Sequence, residues 1–498
     1  MIFADTIASK NGLKIPIFSD GKPMHSKYDP EREAKNSIST ITERDFFLIL
    51  GIGGAYHIKE LTKKFPDAMI LAVEKSKEDL NYLLKEIPCV KEVLSLKNIK
   101  TAFPESLETE LSKYFLPAVY SSFEVIKNTP WCVFNANILP LITESINNSL
   151  KIISQDFSTQ SHFGKQWTKN IMQNLKDCKN DKKIIIPTEK TAAIIAAGPS
   201  LEKNISKLKE EREKFYIIAT DTAFKILLRH EVSPDAVFSV DGQFVSINHF
   251  LQKTEYAPLF IFELTANHNA VKKISEKENN VLFTVSAHPL EQLAKSRSPE
   301  SFFQNDSSSG TVTIAAIDFA LKTGFSKILV FGADFAYSNG KTYASGTYLD
   351  DLYSIDQKKI RTQETVFSAL MYRAELKSIS EAKYTTTILD SYRAAFENWL
   401  NANNAVCKKE NDIYTVIAKK NLKSGEIQTK KFDFNAFSEF LKSEIQKILE
   451  NDVKDQLSNP VVVSMLPLIA YLKKQKQDRK SFEEYLKLAL NFIVRYTN

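Results

Sequence analysis

Through the middle of the chain, short apolar runs alternate with segments of helical period. The runs are Ala192–Ala197, Phe215–Thr220, Pro234–Val240, Leu259–Phe262, Val281–Val285 and Lys327–Phe331. Each is short and almost continuously apolar, as strands buried on both faces are. Between them, Glu202 to Lys214, Phe224 to Arg229 and Thr311 to Leu321 read as helices, the last stopping at Gly324. Strands alternating with helices predict a parallel sheet covered on both faces. A smaller unit of the same kind precedes it: Phe46–Leu50 runs into Gly51-Ile52-Gly53-Gly54, and Ala68–Val73 ends in Glu74. Asn147 to Leu175 then reads as a helical bridge, and Asp177 to Asp181 as a polar linker. After about residue 430 the period becomes helical, over Phe432–Leu449, Pro460–Lys474 and Ser481–Val494. The expected layout is a Rossmann-like α/β domain over 1–150 and a bridge and linker over 151–184. A central Rossmann-like parallel-sheet domain follows over 185–430, and a helical domain over 431–498.

Ligands of parallel sheets sit at the carboxyl ends of the strands. There the first central strand delivers Gly198-Pro199-Ser200-Leu201. Gly198 lets a ligand come close to the backbone, Pro199 sets the turn, and Ser200 can cap a helix or bond an oxyanion. Free N–H groups at a helix start favour negative charge, although the same loop also serves as a plain helix start. Asp221-Thr222, Asp241-Gly242, Ser308-Ser309-Gly310 and Asp334 fall at other strand ends or helix starts. A strand-end Asp is also an ordinary helix cap. Together these residues describe a polar crevice. The Gly51–Gly54 loop with Glu74 reads either as a nucleotide site, the acid holding ribose hydroxyls, or as an architectural unit, because the third glycine of the fingerprint is missing.

Composition narrows this only slightly. A chain of 498 residues exceeds one core, and two to three domains are expected. The net charge of +6, from 66 Lys+Arg and 60 Asp+Glu, favours anionic ligands weakly and argues against a nucleic-acid binder. Cys89, Cys132, Cys178 and Cys407 are scattered without zinc spacing, as in a cytoplasmic protein with reduced thiols. Met1–Asp5 opens no signal peptide, and Val461–Leu472, broken by Ser464 and Pro467, is too short to span a membrane.

The order Gly198-Pro199-Ser200-Leu201, Asp221, Val240-Asp241-Gly242, Ser309-Gly310, Gly332-Ala333-Asp334-Phe335 resembles the motility-associated factor (Maf) family. These flagellin glycosyltransferases share the domain of unknown function 115, and their central domain is similar to bacterial CMP-sialic acid transferases. His25–Ala34 resembles the family's Ser-x-Tyr-Asp-Pro-x-x-Glu-Ala segment, and Ser391–Trp399 its aromatic-rich helix. The resemblance implies transfer of a nonulosonic acid (pseudaminic, legionaminic or related) from a CMP-activated donor to Ser or Thr of flagellin. It implies flagellin as partner, no metal or other cofactor, no nucleic acid and no membrane span. Donors fixed in advance around the phosphate would stabilise its growing charge. Gly198–Leu201 would supply them, with Ser308, Ser309 and Gly310 near the donor's sugar or cytidine. A carboxylate beside a phosphate repels it, so Asp221 and Asp241, with Thr222 and Gly242, are assigned to ribose, base or sugar.

One departure concerns the base. The sialyltransferases carry a His after the strand end that Asp334 matches, and this chain has none beyond His288. His288 and Asp334 are therefore the catalytic candidates, with Tyr337 and Tyr343 as ligands of the departing phosphate. Each of these residues also has a plain packing reading. Two other functions stay open: a 6-hydroxymethylpterin diphosphokinase using magnesium and ATP, and a non-catalytic flagellin-binding or export factor. The lysine-flanked stripes around Tyr471, Leu472, Tyr485, Leu486, Leu488 and Leu490 would pack on the core or recruit the acceptor.

Overall fold

The structure, a computed structural model, describes residues 1–251, 258–276, 280–307, 310–355, 371–403, 405–418, 425–450, 457–475 and 480–497. The chain divides into two compact units. Most of the first is Met1–Gly164 with Leu466–Ala489. It opens with an antiparallel hairpin, β1 (Phe3–Ala8) and β2 (Lys14–Phe18). A parallel sheet follows from β3 (Phe46–Leu50), β4 (Met69–Val73), β5 (Ile99–Ala102) and β6 (Glu124–Lys127), in the order β5-β4-β3-β6. Every residue of β3 is buried, which is why it reads as one apolar run. Helix Leu139–Lys176 is longer than the expected bridge. At Gly164 it crosses the later chain so closely that a Cβ would lie 1.8 Å from the Pro467 carbonyl oxygen.

The second unit is chiefly Lys165–Asn451. After β7 (Lys182–Ile185) come β8 (Thr191–Ile195), β9 (Phe215–Thr220), β10 (Ala236–Ser239), β11 (Leu259–Glu263), β12 (Val281–Val285), β13 (Phe303–Gln304) and β14 (Lys327–Phe331). β15 (Tyr337–Ser338), β16 (Lys377–Ser380) and β17 (Lys383–Thr385) form a small antiparallel sheet. β18 (Ala405–Glu410) and β19 (Ile413–Ala418) extend the main sheet, and β20 (Glu426–Thr429) pairs with β7. The main sheet runs β13-β12-β11-β10-β9-β8-β14-β19-β18. Its strands β8 to β14 are parallel, as the alternation of strand and helix requires. Helix Val312–Thr323 buries Ile314, Ile317 and Phe319 against one face, and Gly324 ends it in the left-handed conformation. Leu201, Leu208, Ile226 and Leu227 cover the other face.

Two expected helices are broken. Residues Glu202 to Lys214 form 3-10 turns at Pro199–Asn204 and Arg212–Lys214 around a short helix, Ile205–Glu210. The first turn is tight because the β14 end takes up the Gly198 and Ser200 N–H groups. The expected helix over Pro460–Lys474 is two, Pro460–Ser464 and Leu466–Gln475, because Pro467 has no N–H to continue the first. The closing helices are shared out. Phe434–Glu450 lies in the second unit, Leu466–Gln475 in the first, and Phe482–Val494 gives residues to both.

Candidate functional site

From β8 the chain lays strands down to one side as far as β13, then returns to place β14 on β8's other side. The reversal lies between β8 and β14, where open α/β sheets form a crevice. The two strand ends are in backbone contact. Ala196 N donates to Phe331 O and Gly198 N to Gly332 O, both at 2.8 Å. A Cβ at Gly198 would lie 2.4 Å from Gly332 O and 2.6 Å from Asp334 Oδ2. At Gly332, whose φ is +67°, it would lie 2.2 Å from Ala196 O. Ser200 N donates to Asp334 Oδ2 at 2.7 Å, and Leu201 N to Gly198 O at 3.0 Å. The backbone donors expected to face a phosphate are thus used inside the protein. Ser200 Oγ and Asp334 Oδ1 remain, both buried and without a hydrogen-bond partner. Pro199 and Leu201 are buried and support the turn.

Residues 337–348 form a strap across this point. Ala344 N donates to Ala197 O at 2.8 Å, next to Gly198. The Glu202 carboxylate accepts Lys341 Nζ at 2.9 Å and Ser345 N at 2.7 Å. Thr342, between these anchors, has a buried hydroxyl with no partner. It carried no signal in the sequence, because nothing local marks which strap residue turns inward. Tyr343 is exposed, while Tyr337 lies half-buried in β15, where burial pushes its phenol up.

At the ends of β9 and β10 the two carboxylates differ. Buried Asp221 accepts Thr222 N at 2.6 Å and Thr222 Oγ1 at 3.1 Å on one oxygen, and Ser239 Oγ at 2.6 Å on the other. Asp241 accepts Gln243 N at 2.8 Å. Burial, and then the Asp221 charge, push its carboxyl up, while His249 pulls it down. Gly242 is enclosed by Thr265 O, Trp167 and Asn170. Lys225, itself buried, and Arg229 on the helix after Asp221 both pair with Asp351.

The ends of β11, β12 and β13 hold a buried acidic pair. Glu291 accepts Thr265 N at 3.0 Å and Ser286 N at 2.7 Å. Glu263 accepts Thr265 Oγ1 at 3.0 Å, and its second oxygen has no partner. Ser307 Oγ lies near it but gives its hydrogen to Ser286 Oγ at 2.8 Å. Burial pushes Glu263 up to about 7, and burial, with the Glu263 charge beside it, pushes Glu291 well above the ordinary carboxylate range. Ser308 and Ser309 lie outside the described residues. Gly310 is exposed with φ +74°, facing Tyr392 of helix Thr387–Ala402. His288 caps helix Pro289–Arg297: its Nδ1 accepts Leu290 N at 3.2 Å. Its ring meets Trp167 edge-on at 5.8 Å, and burial pushes the imidazole down to about 3. With Nδ1 accepting, the neutral ring carries its proton on Nε2, so neither nitrogen is poised to take one.

Buried Asn170 and Asn174, one turn apart on helix Leu139–Lys176, hold the crevice loops. Asn170 Nδ2 donates to Gly242 O (3.0 Å) and Thr265 O (2.9 Å), and Asn174 Nδ2 to Leu264 O (2.9 Å) and Ala266 O (2.8 Å). Their spacing of four, which sets both on one face of the helix, is the signal that the sequence offers for them.

In the first unit the glycine loop is filled by its own chain. Gly54 N donates to His25 Nε2 at 2.9 Å. Glu74, which the nucleotide reading of this loop would set on ribose, accepts Ile52 N (3.2 Å), Lys75 N (2.9 Å) and Trp131 Nε1 (2.6 Å). Trp131 lies so close over Gly51 that a Cβ there would be 2.5 Å from it. The Tyr28-Asp29-Pro30 segment starts a helix, with Asp29 capping Arg32 N at 2.9 Å. Among the described residues no helix is long and apolar enough to cross a membrane.

Residues 165–340, which carry most of this crevice, match the family model described as 6-hydroxymethylpterin diphosphokinase MptE-like. An uncharacterized protein of Treponema pallidum (strain Nichols) is 34% identical over 182 residues, 36% of this chain and 82% of that protein. A second uncharacterized protein of the same organism is 29% identical over 243 residues, 48% of this chain and 75% of that protein. Among solved structures, the Maf glycosyltransferase from Magnetospirillum magneticum AMB-1 superposes with a TM-score of 0.57 at 13% identity. That match covers 99% of this chain and 86% of the other. The chain belongs to the family of the 34% identical Treponema pallidum protein, and along nearly its whole length its fold is similar to that of a Maf glycosyltransferase.

Proposed function

We propose that this chain is a glycosyltransferase that moves a nonulosonic acid from a CMP-activated donor to Ser or Thr hydroxyls of flagellin. It acts in the cytoplasm during flagellum assembly and needs no metal or other cofactor. The observation that carries the reading is the set of buried, unpartnered oxygens at the strand reversal: Ser200 Oγ, Asp334 Oδ1 and, in the strap, Thr342 Oγ1. Buried polar groups are rarely left unsatisfied without a role. On this reading Ser200 Oγ donates to the leaving phosphate as its charge grows, and costs no reorganisation because the loop is already held. Asp334 holds that loop, and Asp241 accepts hydroxyls of the donor. The fold shared with a Maf glycosyltransferase supports the same reading.

The diphosphokinase description of the family model favours a second reading, pyrophosphoryl transfer from ATP with magnesium. Calorimetry on the purified protein separates the two. CMP is expected to bind in EDTA and to outcompete ATP; ATP preference with strict magnesium dependence would install the second reading. Mass spectrometry of flagellin from cells with and without the protein tests the acceptor, and unchanged flagellin mass would remove it.

A further inference from the structure

We propose that the open edge of β5 is a docking site for an extended acidic segment of a partner protein, which joins the parallel sheet of the first unit as a further strand. The site lies wholly in the first unit and stands whether or not the transfer reading holds. β5 ends the sheet order β5-β4-β3-β6, and among the described residues no strand pairs with its outer side. Ile70 N donates to Asn98 O at 2.9 Å and Glu74 N to Ala102 O at 3.1 Å. Asn98, Lys100 and Ala102 thus turn their backbone groups to β4. Thr101 presents its N–H and C=O to the open side, the pair of groups that an added strand takes up.

Helices wall this edge on both sides. The connections from β4 to β5 and from β5 to β6 cross the sheet in opposite directions, so right-handed crossovers set their helices on opposite faces. Lys77–Glu86 and Pro88–Leu94 lie on one face and Leu107–Tyr114 on the other. The three helices and β5 together line a cleft of about 530 Å³. Leu80, Leu84 and Leu94 give the cleft an apolar wall, with room for an apolar side chain.

Charge selects the partner. Lys91, Lys100 and Lys113 line the cleft against one carboxylate, Glu110, which stands 3.9 Å from Lys113. Lys91 and Lys100 make no ion pair among the described residues. A single lysine on an edge strand serves to keep foreign strands away. Three around a walled cleft, two of them without a counter-charge, instead favour a strand that carries carboxylates. Successive side chains of a strand point to opposite faces, so the segment that fits alternates acidic with apolar residues.

The test uses the full chain and a labelled, end-capped peptide of alternating aspartate and valine, about six residues long. Fluorescence anisotropy is expected to show micromolar binding. Combining Lys91→Glu with Lys100→Glu is expected to weaken it about tenfold or more. Thr101→Pro removes the edge N–H without touching the bonds to β4, and is expected to weaken it similarly. N-methylation of alternate peptide amides is expected to weaken binding strongly in one of the two registers and little in the other. No binding below about 1 mM, equal binding of a peptide with lysine for aspartate, or indifference to N-methylation in both registers overturns the proposal. If laurate occupies the cleft and the peptide does not, the site takes a small amphiphile and the proposal falls. Should Thr101→Pro fail to fold, the N-methylated peptides on the wild-type chain decide.

Discussion

Asp334 Oδ2 accepts the Ser200 backbone N–H at 2.7 Å across 134 residues of chain, joining the last parallel strand of the main sheet to the first. The bond fixes the loop that carries Ser200 Oγ to the residue that holds it, Asp334. Asp334→Ala leaves the buried Ser200 N–H unpaired. It is expected to cost about 1–3 kcal/mol of stability and to weaken CMP binding at least about tenfold. Asp334→Asn, which keeps an acceptor, is expected to lose less stability. Chemical denaturation and calorimetry on both variants check this, and equal stability of Asp334→Ala and wild type would contradict it.

The glycine pair behind that bond predicts a graded response. Gly198→Ala puts a methyl 2.4 Å from the Gly332 carbonyl oxygen, and Gly332→Ala puts one 2.2 Å from that of Ala196 at φ +67°. Both neighbours are backbone and cannot swing away. Each substitution is expected to cost on the order of 1–3 kcal/mol or more, Gly332→Ala the more because its backbone angle is also disfavoured. Melting temperatures order the two variants; Gly198→Ala melting below Gly332→Ala would contradict the assignment.

Buried acids set a pH dependence of known sign. Burial pushes Glu74 up to about 7 from an ordinary 4.5, and Glu263 up to about 7. Between these values the folded state holds protons that the unfolded chain has released, so stability falls as pH rises from 4.5 through about 7. Below 4.5 the effect is absent, and above about 7 it is complete. For Glu74 alone it amounts to about 3 kcal/mol. Glu74→Gln keeps one acceptor oxygen, for Trp131 Nε1 and Lys75 N, and turns its NH2 group to Ile52 N; relative to wild type it is expected to fare better at pH 8 than at pH 4.5. Urea melts at both pH values measure this, and an unchanged difference between them would sink it.

The closing helices belong to the core of both units. Leu466, Leu468, Ile469, Ala470, Tyr485 and Leu486 are buried in segments assigned to the first unit, while Phe437, Leu441 and Ile445 are buried in the second. A chain ending near Lys430 is therefore expected not to fold cooperatively. Gly164→Ala, with its Cβ 1.8 Å from Pro467 O, is expected to destabilise by several kcal/mol. A soluble, cooperatively melting truncation would instead make these helices an appendage, free to recruit a partner.

The sequence by itself determined the strands and the places where they end. β9, β12 and β14 coincide with the apolar runs Phe215–Thr220, Val281–Val285 and Lys327–Phe331. A strand buried on both faces must be apolar throughout, so burial is written locally. Gly198, Asp221, Asp241 and Asp334 were legible at strand ends for the same reason, since the polar residue marks where the run stops. Tertiary structure alone decided what each does. Asp334, equally readable as a helix cap, holds the Ser200 N–H; Glu74 holds its own loop instead of a ribose; and His288 caps a helix. It also brought Thr342 to the strand reversal, and carried the closing helices into both units. The His288 cap meets Leu290 N two residues on, but the other outcomes depend on partners 22 or more residues away, and no local period or spacing encodes which distant carbonyl or carboxylate a side chain will meet.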